Sequence, residues 1–111
     1  MKLTNLSTIP NKTIRSILKD LGISKANEEL AILINPDLDA HGSCILLEDG
    51  MIVVSMLIDS DIATLAHELK HAEQFISGLY EWVEVEMELT EYDKQWHEIE
   101  ACEYESKYKA A

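Results

Sequence analysis

His67-Glu68-Leu69-Lys70-His71 sets two imidazoles four residues apart, with a carboxylate next to the first. On a helix, positions 67 and 71 sit one turn apart on one face, so both rings can converge on a single cation. Glu68 lies about 100° round such a helix from His67, where its carboxylate can reach a metal-activated water without being a ligand. A zinc ion that does chemistry takes three protein ligands and leaves one position open. The pair therefore needs a third His, Asp or Glu, held on another rigid element. The C-terminal stretch offers His97, Glu98, Glu100, Glu103 and Glu105, and composition does not choose among them.

The elements that must hold these residues follow from periodicity and turn chemistry. Ile62, Ala63, Leu65, Ala66, Leu69, Ala72, Phe75 and Ile76 predict a helix carrying the His pair. Asp59 or Ser60 is expected to cap its start, and Ser77-Gly78 to end it. Upstream, Ile14, Ile17, Leu18 and Leu21 predict a helix over Lys12–Leu21, with Asn11 as N-cap and Gly22 as stop. Residues 1–9 read as a lead-in. Strands are expected near 29–34, 43–48 and 51–56, the last two joined through Glu48-Asp49-Gly50 as a hairpin. Residues 80–89 carry both a strand period, from Val83 to Leu89, and a helix period that continues through Tyr92, Trp96 and Ile99. The longer pattern favours a helix, most securely over Glu91–Lys107.

A chain of 111 residues that is 47% hydrophobic suits one domain over 1–111 with a modest core. The expected class is α+β: three main helices packed on a small mixed or antiparallel sheet of about three strands. The formal charge of -12 is concentrated in residues 61–111, with thirteen acidic side chains against four basic. Such a field repels nucleic acid and anionic membrane and keeps the protein soluble. Two cysteines, Cys44 and Cys102, make neither a CxxC pair nor a disulfide framework. With no readable signal peptide and no run of 18 apolar residues, the expected location is the cytoplasm.

The segment His67-Glu68-Leu69-Lys70-His71-Ala72-Glu73-Gln74, followed by Glu98-Ile99-Glu100-Ala101-Cys102, resembles the small glutamate-type zincins, minimal metallopeptidase-like domains often carried by phages and microbes. About 70 residues share the pattern, though only the two short motifs are specific. The resemblance implies zinc held by His67, His71 and Glu98, with Ala101 in a small-residue slot and Glu68 as general base for cleaving a peptide or amide bond. It also implies a strand beside the cleft, matched by position to Met51–Met56, that holds an extended peptide substrate. Candidates to steady an oxyanion are His41, His97, Tyr92, Tyr104 and Tyr108. Cys102 departs from the pattern, which has Asp or Asn there to orient a ligand histidine. A thiol is a weaker acceptor, but Cys102 or Glu100 is also a competing ligand. The alternative function is a non-catalytic metal-binding scaffold or phage accessory protein that binds a partner.

Overall fold

A computed structural model describes residues 1–38, 41–58, 60–77 and 96–109. They build a small α+β fold in which three helices pack against a mixed four-stranded sheet. In chain order the elements are β1 (Lys2–Asn5), α1 (Asn11–Asp20), β2 (Glu29–Ile34), β3 (Gly42–Leu46), β4 (Ile52–Met56), α2 (Ile62–Ser77) and α3 (Trp96–Ser106). The strand order is β1-β2-β4-β3, with β1 and β4 parallel to β2 and β3 antiparallel to β4.

The lead-in is the first departure from expectation. Lys2–Asn5 forms an edge strand in register with Glu29–Ile32, and α1 is the crossover between the two parallel strands. Asn11 is the first residue of α1 rather than its cap: Pro10 holds the cap position with no side-chain bond, and Asn11 Oδ1 instead accepts from Asn5 Nδ2 at 2.7 Å. Gly22 stops the helix as expected. Its φ of 77° lets Gly22 and Ile23 donate back to Lys19 and Leu18 at 3.0 Å each.

The hairpin forms where the turn residues place it, with Leu46 opposite Ile52 and Gly50 at a φ of 90°. It does not leave β4 at an edge, because β2 lies along β4's other side. Met51–Met56 therefore cannot accept an added peptide strand, and the sheet edge on that side is β3. In β4, Ile52, Val54 and Met56 are buried while Val53 and Ser55 are half-buried, so one face of the strand turns to the core. That core joins Ile14, Ile17 and Leu18 of α1, Leu30 and Ile32 of β2, and Leu65, Leu69 and Phe75 of α2.

Asp61 caps α2 rather than Ser60, and Asp59 lies outside the described residues. The Asp61 Oδ1 accepts from the Thr64 N–H at 2.9 Å and from the Thr64 hydroxyl at 3.1 Å. The helix holds through Ser77, and α3 covers Trp96–Ser106 of the expected Glu91–Lys107. The conflict over residues 80–89 lies outside the described residues. Tyr104 ties α3 to the end of α1 by donating its hydroxyl to Asp20 Oδ2 at 2.6 Å. No described helix is long and apolar enough to cross a membrane.

Candidate metal centre

The centre lies between α2 and α3. His67 and His71 leave the same face of α2, with ring centroids 5.0 Å apart, and both Nε2 atoms meet the Glu98 carboxylate from α3. His67 Nε2 lies 2.8 Å from Oε1 and His71 Nε2 lies 3.1 Å from Oε2. One ligand atom from each of the three falls within a 4.8 Å cluster able to hold a metal ion.

The far nitrogens decide which way the near ones face. Gln74, one turn beyond His71, commits its amide N–H groups to the His97 carbonyl at 3.0 Å and to Glu100 Oε1 at 3.2 Å. Its oxygen then accepts from the Nδ1–H of His71 at 2.8 Å. Across the site, Glu105 Oε1 accepts from the Nδ1–H of His67, also at 2.8 Å. With both Nδ1 atoms donating, each ring turns its Nε2 edge to an ionised carboxylate. Two lone pairs and a carboxylate aimed at one point need positive charge between them, a metal ion or protons.

Protonation in the absence of an ion follows that need. Burial acts to lower the His67 pKa, but hydrogen bonding to Glu98, the charges of Glu68 and Glu98, and the hydrogen bond to Glu105 raise it to about 8. Burial acts to raise that of Glu98, and the hydrogen bonds from His67 and His71 overcome it, holding the carboxyl well below the usual range.

Glu68 stands apart from this set. It is 5% exposed, its nearest approach to His67 Nε2 is 3.9 Å, and its Oε2 is buried with no hydrogen-bond partner among the described residues. Burial, opposed by His71 and His67, pushes its pKa up to about 7. Strand β3 packs directly over it: a Cβ added to Gly42 would fall 2.9 Å from Glu68 Cγ and 3.1 Å from Thr64 Cγ2. Burial, and secondarily the Glu68 charge, pushes the Cys44 thiol well above its usual pKa.

The other sequence candidates divide. Glu100 receives Gln74 and Lys70, the latter at 3.5 Å, and does not join the cluster of His67, His71 and Glu98. Glu103 is exposed. Tyr104 is engaged with Asp20, and Tyr108 lies 3.1 Å from the Tyr104 hydroxyl. His41 is an exposed loop residue whose carbonyl accepts from Ser60 Oγ at 2.8 Å. His97 is buried with its ring centroid 5.9 Å from that of His71. Tyr92 lies outside the described residues.

Known protein families, curated proteins and solved structures offer no match to this chain. A function must therefore be argued from the chemistry of the cluster. Two contributors to it were not expected as partners of the histidine rings: Gln74 had no role, and Glu105 was only one of several candidate third ligands. Gln74 is three residues past His71, the spacing at which helical side chains touch, and Glu105 is seven past Glu98, two turns along the same face.

Proposed function

We propose that this chain is a zincin-like metal-binding domain spanning residues 1–111, with a divalent cation held by His67, His71 and Glu98. The observation that carries the reading is the pair of Nδ1 donations, to Gln74 and Glu105, which turn both Nε2 lone pairs onto the Glu98 carboxylate. The donor set suits zinc. Zinc bonds of about 2.0–2.1 Å at tetrahedral angles put neighbouring donors about 3.3 Å apart, and the two N···O distances of 2.8 and 3.1 Å need only a small expansion to reach that. The Asp or Asn role that Cys102 does not fill falls to Glu105, which orients His67 from one turn further along α3.

As a metal domain the protein needs no turnover, and the ion's part is to join α2 to α3. The test is metal content after purification without added metal, by elemental analysis, in the wild type and in His67→Ala and His71→Ala. About one zinc per chain in the wild type, none in His67→Ala and a reduced content in His71→Ala is the expected result. Equal metal in all three would overturn the reading.

The second reading, hydrolysis of a peptide or amide bond, is favoured by one observation: the buried, unpartnered Oε2 of Glu68. A metal at such a site supplies Lewis-acid polarisation of water or a carbonyl. Glu68 would hold the proton removed from the attacking water and return it to the leaving amine, its burial favouring the protonated form that the second transfer needs. Extended substrate would meet the edge strand β3, beside Glu68, through backbone pairing. Under this reading Glu68→Gln keeps zinc and loses about 10²–10⁴-fold in cleavage of a diverse peptide library. Cleavage that survives Glu68→Gln with zinc retained would rule out this role for Glu68.

A further inference from the structure

His67 has two ring nitrogens, and the zinc site proposed above uses only one. On the opposite edge of the ring, Glu105 Oε1 lies 2.8 Å from Nδ1. Cys102 precedes Glu105 by three residues on α3, so both side chains leave one face of that helix. A ligand atom from each of His67, Cys102 and Glu105 falls within 4.8 Å of the others, with Cys102 exposed and the other two half-buried. This is an imidazole, a thiol and a carboxylate close enough to converge on one ion, with the thiol on an exposed residue.

We infer that His67, Cys102 and Glu105 form a second metal site, selective for a thiophilic cation, which competes with the His67–His71–Glu98 site for the shared imidazole. The competition follows from the ring. A neutral imidazole has one lone-pair nitrogen at a time. An ion on Nε2 leaves the proton on Nδ1, where Glu105 accepts it. An ion on Nδ1 leaves the proton on Nε2, where Glu98 accepts it at 2.8 Å. Each state has a carboxylate in place for the ring proton, so the sites exclude each other without requiring imidazolate. Entry of the thiophilic ion releases the Cys102 thiol proton and the His67 Nδ1 proton to solvent, and the ring keeps its proton on Nε2. Sulfur decides the selectivity: thiolate prefers soft cations, whereas the all-nitrogen-and-oxygen set lacks that preference.

Cadmium is the probe, read by its thiolate charge-transfer absorption in the ultraviolet, on the full chain stripped of metal. The wild type should develop the band and saturate at one cadmium per chain. Cys102→Ser should lose the band while still taking up zinc. His71→Ala, which removes a ligand of the zinc site alone, should keep the band. One equivalent of zinc added before cadmium should suppress the band in the wild type and suppress it less in His71→Ala. No band in the wild type, a band that survives Cys102→Ser through Cys44, or a band indifferent to zinc in the wild type would each overturn the inference. Zinc uptake unaltered by the double variant His71→Ala/Cys102→Ser would instead sink the zinc-site reading, so the two failures are distinguishable.

Discussion

Gln74 and Glu105 act on the centre through the histidines they orient. Each accepts the Nδ1–H of one ring at 2.8 Å, and without that acceptor the ring is free to turn or to place its proton on Nε2, where a metal should bind. Removing such a partner lowers metal affinity about 10–100-fold. Gln74→Ala and Glu105→Ala are each expected to fall in that range for zinc, measured by competition with a chromophoric chelator, with the ligands themselves intact. Affinity unchanged in both would mean the rings are positioned by packing alone. These two residues were not legible as partners for different reasons. Gln74 sat inside the motif but as a neutral side chain with no marked role. Glu105 was one of several glutamates on a helix where a solvated acid is the ordinary case. The pairing of His67 with His71 was easier to read, since helical period alone puts them on one face, whereas Glu98 was singled out only by the family resemblance.

At the scale of elements, β3 and α2 are fitted to each other at Gly42. A side chain there would meet Glu68 Cγ at 2.9 Å and Thr64 Cγ2 at 3.1 Å, so Gly42→Ala must push strand and helix apart or displace Glu68. An overpacked contact of this kind costs about 1–3 kcal/mol, to be read as a lowered urea midpoint. The start of α2 gives a second test. Asp61→Ala should cost about 0.5–2 kcal/mol through loss of the cap. The Thr64 N–H bond holds the Asp61 pKa below its ordinary 3.8, outweighing partial desolvation. A lowered carboxyl pKa contributes stability that is present above the unfolded value and lost as pH falls through the folded one. The gap between wild type and Asp61→Ala should therefore be constant above about pH 5 and close below 3.8. Hairpin, helices and strand β2 were legible because β-branched runs, an Asp-Gly turn and apolar periodicity are local signals. The edge strand β1 was not: Lys2–Asn5 has one large apolar residue, Leu3, and is held by pairing with β2. Nor could the hairpin reveal that β2 inserts beside β4, since that contact joins segments about twenty residues apart.

For the whole molecule, the centre links α2 to α3 by charge, and the sign of that link should reverse when metal is present. In protein stripped of metal, His67 has a folded pKa raised to about 8 from 6.5, so its contribution is full below 6.5 and lost as pH rises through 8. Glu68, raised to about 7 from 4.5, adds in the same direction, because the folded state disfavours its ionised form across that window. Glu98 is lowered and contributes the opposite trend, but only below 4.5. His97, lowered by burial, acts the other way near pH 6.5, but His67 and Glu68 together make the centre bind more protons folded than unfolded between about pH 5 and 8, and stability should decline as pH rises. A metal ion needs the lone pair that the proton on His67 occupies, so its affinity climbs over the same window. Binding stabilises by mass action, about 2.7 kcal/mol when free zinc is 100 times Kd, and at fixed free zinc that gain should grow from pH 6 to 8. Thermal unfolding of stripped and zinc-buffered protein at pH 6, 7 and 8 measures both curves. The stripped Tm should fall across the series while the zinc-induced increment rises. His71→Ala should retain the falling curve, since Glu98 and Glu105 still face His67, and should show a reduced increment. Parallel curves with a constant zinc increment would mean that zinc does not displace a proton from His67, and would place the ion elsewhere on this acidic surface.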